Sequence, residues 1–166
     1  MPDPTRPFLV LYIVWHPKFA KGSEMAEYLL EHFRRKLYEN VAGGTGLSVI
    51  LRSAPAPGSS VPLPIDLGQA ETTAIVLLAE SALAEDENWI SYVRELEEQT
   101  ENAGLKSLLF PVAVEPAALE ILFEEQALRL DQWYGTEEEL RLKLISKLTY
   151  AFCRMLRHYS QTLLPM

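Results

Sequence analysis

The sequence predicts an α/β fold in which helices flank a five-stranded parallel sheet on both faces. Apolar runs of strand length alternate with longer amphipathic segments along the chain. The first run, residues 8–15, is apolar or aromatic at every position, which is typical of a parallel strand buried on both faces. Alternating strands and helices favour right-handed crossovers and one open sheet.

The first half of the chain contains three predicted strands, at residues 8–15, 48–53 and 72–79. Ser23 is a candidate N-cap for the first helix, whose apolar stripe comprises Met25, Ala26, Leu29, Leu30, Phe33 and Leu37. The glycines at positions 43, 44 and 46 indicate where this first helix ends.

A proline-rich segment at residues 54–64 separates the second and third strands. Its four prolines exclude a helix and predict an exposed loop of restricted flexibility. Residues 65–71 then predict a short helix before the third strand.

The second half predicts a helix at 89–102, with Trp89, Tyr92, Val93 and Leu96 at helical spacing. Gly104 ends it. A fourth strand follows at 108–114, in which Pro111 indicates an edge position or a break in pairing.

The last predicted elements are an acidic helical turn at 115–125, an alternating strand at 127–133, and a helix to about residue 159. Thr136 and Glu139 form a capping box at the start of that helix. Its predicted buried face comprises Leu140, Leu144, Leu148, Ala151 or Phe152, and Met155.

The composition predicts one folded domain over residues 1–166, with flexible ends at 1–7 and 160–166. Hydrophobic residues make up 48% and charged residues 23%, as in folded soluble proteins. The net charge of −8 argues against nucleic acid or an anionic membrane as a partner, since binding to either needs excess positive charge.

The cysteine content and the N-terminal residues indicate the cellular compartment to expect. Cys153 is the only cysteine, which excludes an intramolecular disulfide and a multi-cysteine zinc site. The N-terminus lacks the layout of a signal peptide, and the run at 8–15 is too short to span a bilayer. We therefore expect a cytoplasmic protein.

Ligands of open parallel sheets bind outside the carboxyl ends of the strands, which here are followed by the loops at 15–23, 52–66 and 79–89. These loops lack the acids of a phosphoacceptor receiver, a Gly-rich dinucleotide turn and a P-loop. No metal site is expected, because His32 and His158 fall on predicted helices without nearby ligand spacing. A serine nucleophile elbow is also absent.

The residues in these loops resemble those of the Toll/interleukin-1 receptor (TIR) family, particularly its bacterial branch. The resemblance covers roughly residues 8–159 and rests on layout plus short motifs. The motifs are Trp15-His16-Pro17-Lys18-Phe19, Arg52-Ser53 with the proline-rich loop, Ala79-Glu80-Ser81, Trp89 and Glu95-Leu96. It implies a flavodoxin-like or TIR-like three-layer sandwich.

Catalytic TIR proteins cleave the nicotinamide–ribose bond of NAD+ with a glutamate on the helix after the third strand, so the resemblance implies Glu95 as the catalytic residue. A carboxylate there stabilises the developing oxocarbenium ion. NAD+ would be the substrate, and no cofactor is implied. The family commonly places this glutamate four residues after a tryptophan. Glu95 lies six residues after Trp89, so either Trp89 is not the equivalent tryptophan or the catalytic carboxylate is absent.

The other candidate site residues are assigned to binding NAD+. Trp15, His16 and Phe19 offer rings that stack on a base, Lys18, Lys21 and Arg52 offer positive charge for phosphates, and Ser53 and Ser81 offer hydroxyl groups. Positive charge is needed here because residues 80–101 contain eight acids and only one base, Arg94.

Three functions remain open from the sequence. The first is a TIR-type effector, active on homotypic TIR–TIR assembly, in bacterial immunity, with a larger protein or a sensor as a further partner. The second is a non-catalytic signalling module whose proline-rich loop and acidic helix are contact surfaces. The third is an unrelated flavodoxin-like nucleotide binder.

Overall fold

The structure, a computed structural model, describes residues 6–36, 47–120 and 127–163. Five parallel strands form one sheet in the order β2-β1-β3-β4-β5. They are β1 Leu9–Trp15, β2 Leu47–Arg52, β3 Thr72–Ala79, β4 Ser107–Ala113 and β5 Leu128–Arg129. The predicted fold class is confirmed, and the strand order places the topological switch between β1 and β3.

Four α-helices cover the sheet within the described ranges: α1 Gly22–Glu31, α2 Ser81–Ala84, α3 Glu87–Ala103 and α4 Glu137–Leu163. A π-helical turn, His32–Lys36, continues α1. Short 3₁₀ turns lie at Leu67–Gln69, Gly104–Lys106, Pro116–Glu120 and Leu130–Gln132. In this part of the chain, none of the helices has the length and apolar character needed to cross a membrane.

The core has two layers, one on each face of the sheet. Helix α3 packs on one face, where Tyr12 from β1 meets Trp89, Tyr92 and Leu96. Helices α1 and α4 cover the other face, where Trp15 is buried with residues of α4 such as Leu148. Because successive side chains of a strand point to opposite faces, this alternation decides which helix each residue at the end of a strand meets.

Some predicted boundaries differ from the structure. Helix α1 begins at Gly22 after Lys21, without a side-chain cap, so the prediction of Ser23 as its N-cap is wrong. Strand β5 has two residues because the chain turns into a 3₁₀ helix at Leu130. Pro111 lies in β4 where the outer side is unpaired, since β5 pairs only with Val112 and Ala113.

Residues near both ends of the described chain contact the rest of the fold, and the flexible ends predicted at 1–7 and 160–166 stay a prediction. Arg6 donates hydrogen bonds to the carboxylate of Glu71 and to the carbonyl of Gly68. Tyr159 Oη donates to the same carboxylate at 2.9 Å, and α4 continues to Leu163. The predictions for Leu37, the glycines at 43–46 and residues 121–125 lie outside the described residues.

Candidate functional site

The carboxyl edge of the sheet divides the predicted site residues between its two faces. Trp15 and Ser53 lie on the side of α1, whereas their chain neighbours His16 and Arg52 lie on the side of α3. Alternation along a strand dictates this division. The edge therefore holds two separate groups of candidate residues.

On the α1 side, Trp15, Phe19 and Ser53 line an open cleft of about 410 Å³. Trp15 is buried, with 7% of its surface exposed. Gly22 makes room for the indole, since a Cβ at position 22 would lie 2.3 Å from Trp15 Cδ1. The cleft presents mainly apolar and aromatic surface together with the Ser53 hydroxyl.

On the α3 side, His16 is 3% exposed and joins two loops. The backbone N–H of Lys18 donates to His16 Nδ1 at 3.1 Å, and His16 Nε2 lies 3.0 Å from Asp86 Oδ2. Because a backbone N–H only donates, Nδ1 is the acceptor, and the proton of the neutral ring lies on Nε2 and is donated to Asp86. This hydrogen bond holds the pKa of Asp86 below its usual range.

Asp86 also caps α3. Its Oδ1 accepts hydrogen bonds from the backbone N–H groups of Asn88 and Trp89. The Trp89 ring is fully buried and packs against His16 and Tyr92, with ring centroids 5.1 and 5.5 Å away. The crevice at the topological switch is thus occupied by the chain's own side chains.

Arg52 lies over the ring of Tyr12, with its Cζ 5.3 Å from the ring centroid. Its Nη1 donates to the carbonyl of Leu51 at 3.4 Å, and its buried Nε has no hydrogen-bond partner. Among the described residues, no carboxylate forms an ion pair with this guanidinium. Arg52 is therefore a cation with unused hydrogen-bonding capacity at the carboxyl edge.

Tyr92 lies close to this cation. Its hydroxyl donates to the carbonyl of Leu63 in the proline-rich loop at 2.9 Å. Burial raises the pKa of Tyr92 to about 12, while Arg52 lowers it and Glu95 raises it. The charges of Arg52 and Glu95 therefore both lie within electrostatic range of the Tyr92 phenol.

Glu95 itself is exposed on α3, and among the residues the structure describes it has no hydrogen-bond or ion-pair partner. Glu97 on the same helix is partly buried, and burial raises its pKa. Its carboxylate lies 3.9 Å from Arg94.

The remaining candidates are dispersed. Ser81 Oγ donates to Glu80 Oε2 at 3.2 Å, and the Ser81 N–H donates to Glu115 at 3.3 Å. Glu80, which is 5% exposed, caps α2 through the N–H of Ala82. Lys18 is exposed, and Lys21 lines a different cavity, between α1 and α4. Neither lysine lines the cleft beside Trp15.

Asp86, Tyr12 and Tyr92 were missed as site residues by sequence reasoning. The signal for Asp86 was present, because an aspartate directly before a helical stripe is a typical N-cap. Its pairing with His16 spans 70 positions and has no local signature.

Within the described ranges, no group of three His, Cys, Asp or Glu side chains is arranged to hold a metal ion. Comparison with known proteins found no matching family model, no matching curated protein and no matching solved structure.

Proposed function

We propose that this domain is a TIR-like interaction module that binds further copies of itself. The observation that carries the proposal is the separation of charge between two helices on opposite faces of the sheet. Helix α3 presents an acidic surface on one face, and α4 presents a basic surface on the other.

The acidic surface consists of Glu95, Glu98 and Glu101. All three are exposed, and none forms an ion pair with a described residue. Arg94 is the only base on this helix. These carboxylates contribute little to the stability of the fold and are available to a cationic partner.

The basic surface consists of Lys147, Arg154 and Arg157, which share one stripe of α4 with Tyr150. All three cations are exposed, and no described acid pairs with them. Tyr150 is 68% exposed and adds apolar contact area between the charges. After Glu139, α4 contains no further acid.

Contact between unlike surfaces on opposite faces is heterologous, and such contacts build rings or open filaments. Exposed ion pairs contribute about 0.2–1 kcal/mol each, so three pairs supply about 1–3 kcal/mol. This electrostatic contribution is small and screened by salt. The expected assembly is therefore weak, dependent on concentration and sensitive to ionic strength.

Charge reversal tests this contact. The acid-reversed variant carries Glu95→Lys, Glu98→Lys and Glu101→Lys, and the base-reversed variant carries Lys147→Glu, Arg154→Glu and Arg157→Glu. Because a contact of this strength has a Kd in the millimolar range or weaker, sedimentation equilibrium at millimolar chain concentration is used, and it should show wild-type association at about 20 mM salt but not at about 300 mM salt. Each variant alone should remain monomeric.

An equimolar mixture of the two variants should associate again, because every surface then has a complementary partner. Lys18→Glu, Lys21→Glu and Arg34→Glu together place the same charge change as the base-reversed variant outside both surfaces, and this control should associate like wild type. A mixture that stays monomeric, or a wild type that is monomeric at low salt, contradicts the proposed contact.

NAD+ cleavage is a second candidate, favoured by the unpaired Arg52 and by Glu95, whose charges both reach the Tyr92 phenol. The unpaired guanidinium suits a phosphate, and the carboxylate suits the developing oxocarbenium ion. Because the nicotinamide ring is already cationic while it is bonded to ribose and departs as a neutral base, the step needs little acid assistance.

The test incubates an artificially clustered preparation with NAD+ and measures free nicotinamide. Release that is lost in Glu95→Gln but retained in the matched Glu98→Gln variant supports Glu95 as the catalytic residue. Activity that persists in Glu95→Gln rejects that residue, and inactivity on every clustering scaffold rejects the enzyme.

A further inference from the structure

A second cavity lies between α1 and α4, at the carboxyl ends of β4 and β5, away from the charged surfaces and the Arg52 group. Its volume is about 390 Å³, within the range of small-molecule sites. Its walls are apolar and comprise Met25, Tyr28, Val114, Leu130, Leu140 and Leu144. Such walls suit a hydrocarbon or aryl group.

Charged side chains surround this cavity, and Arg141 lies among them. One nitrogen, Nη2, donates to Glu24 Oε1 and to Glu137 Oε1, both at 2.9 Å. The guanidinium also lies over the ring of Tyr28, 4.9 Å from its centroid. A guanidinium has five N–H donors, and those on Nη1 and Nε have no partner among the described residues.

Lys21 supplies a second cation to the cavity lining. It is exposed, and no acid within the described ranges pairs with it. The two carboxylates of the lining, Glu24 and Glu137, already accept from Arg141. Each carboxylate keeps one oxygen without a described partner, but both side chains are mostly exposed, at 61% and 75%, whereas Arg141 is 31% exposed. The least exposed hydrogen-bonding capacity at the cavity is therefore that of the Arg141 donors.

We propose that this cavity binds a small apolar monocarboxylate. The carboxylate accepts hydrogen bonds from Arg141 and Lys21, and the apolar part packs against Met25, Leu130 and Leu144. An amine would compete with Arg141 for two mostly solvent-exposed carboxylates and would meet Arg141 and Lys21 as like charges. A neutral alcohol forgoes the charge-assisted hydrogen bonds, which are about twice as strong as neutral ones.

A head-group series tests the proposal. Hexanoate, hexan-1-ol and hexylamine are titrated into the full chain at matched ionic strength, while the methyl resonances of Met25, Leu130 and Leu144 are followed by NMR. Saturable shifts of these methyls are expected with hexanoate, at an affinity at least tenfold above that of the other two probes. Equal affinity for hexan-1-ol, no saturation by hexanoate, or shifts confined to methyls elsewhere overturns the proposal.

Two lysines in one loop provide a matched pair of variants. Lys21→Gln should weaken hexanoate binding about threefold to tenfold, as replacement of a charge-assisted hydrogen bond by a neutral one predicts. Lys18→Gln removes the same charge three residues away, outside the cavity lining, and should leave the affinity unchanged. Equal effects of the two substitutions reject the role of Lys21 in holding the carboxylate.

Discussion

Replacing Asp86 with asparagine should destabilise the domain almost as much as replacing it with alanine. One oxygen of Asp86 caps α3, and the other accepts from His16 Nε2. His16 cannot move its proton to Nδ1, because Nδ1 accepts from the Lys18 N–H. Asparagine has one acceptor oxygen, so its NH₂ group must face either the helix N–H groups or the His16 N–H.

The expected costs follow from those contacts. Loss of an N-cap costs about 0.5–2 kcal/mol, and an unsatisfied buried donor costs about 1–3 kcal/mol. Asp86→Ala loses both contacts, for about 1.5–5 kcal/mol in total. Asp86→Ser keeps the cap and leaves space for water beside His16, since the Asp86 side chain is 32% exposed, so it should cost about 1 kcal/mol.

Urea unfolding followed by tryptophan fluorescence measures this order. With an m value of about 2 kcal/mol/M, Asp86→Ala should lower the midpoint by about 0.8–2.5 M, and Asp86→Asn nearly as much. In a His16→Ala background, Asp86→Ala should cost only the cap. An Asp86→Asn variant within about 0.5 kcal/mol of wild type, the usual range for neutral surface changes, would refute the assigned proton on Nε2.

Three further predictions concern packing and titration. Gly22→Ala should destabilise the domain by about 1–3 kcal/mol through overpacking, because its Cβ would meet Trp15 at 2.3 Å; thermal unfolding measures this, and an unchanged Tm contradicts it. The hydrogen bond from Arg6 lowers the pKa of Glu71, so its contribution to stability is present above the unfolded value of about 4.3 and is lost as pH falls through the folded value. Glu71→Gln should therefore weaken the acid dependence of unfolding, and an unchanged pH profile contradicts this. Burial raises the pKa of Tyr92 to about 12, so its contribution is present below the unfolded value of about 10 and is lost as pH rises through 12. Burial also raises the pKa of Tyr12 and Tyr159, so absorbance at alkaline pH should show several late-titrating tyrosines, one fewer in Tyr92→Phe, and identical titration curves contradict the assignment.

Hydrophobic pattern was sufficient to predict the sheet and the two long helices. Strand β3 was predicted with its observed bounds, because all eight of its residues are buried and the apolar run is uninterrupted. Helix α3 was predicted within two residues at its N-terminus, since its buried stripe starts at Trp89. Strand β5 was overestimated because alternation at 127–133 also fits a short strand followed by a 3₁₀ turn.

The candidate site was less predictable than the fold. The loop positions indicated which residues lie at the carboxyl edge of the sheet. They did not indicate the face, because Trp15 and His16 lie on opposite faces of the sheet, as do Arg52 and Ser53. The contact of His16 with Asp86 joins two loops, and such pairing depends on tertiary geometry rather than on local pattern. The hydrogen bonds of Arg141 likewise depend on the packing of α1 against α4, so the sequence pattern does not show which of its donors are unused.

The divided carboxyl edge also separates the two candidate functions experimentally. Glu95 and Arg52 lie on the α3 side, whereas the cleft lined by Phe19 lies on the α1 side. If NAD+ reacts near Glu95, the part of it that would contact this cleft is the adenosine, which does not react. Phe19→Ala should therefore raise KM and leave kcat unchanged, as loss of uniform binding does. Self-association through α3 and α4 requires neither Phe19 nor Arg52. In an interaction module, Phe19→Ala should therefore leave the salt-sensitive association unchanged, and any loss of assembly in this variant would show that the contact extends to the β1 loop.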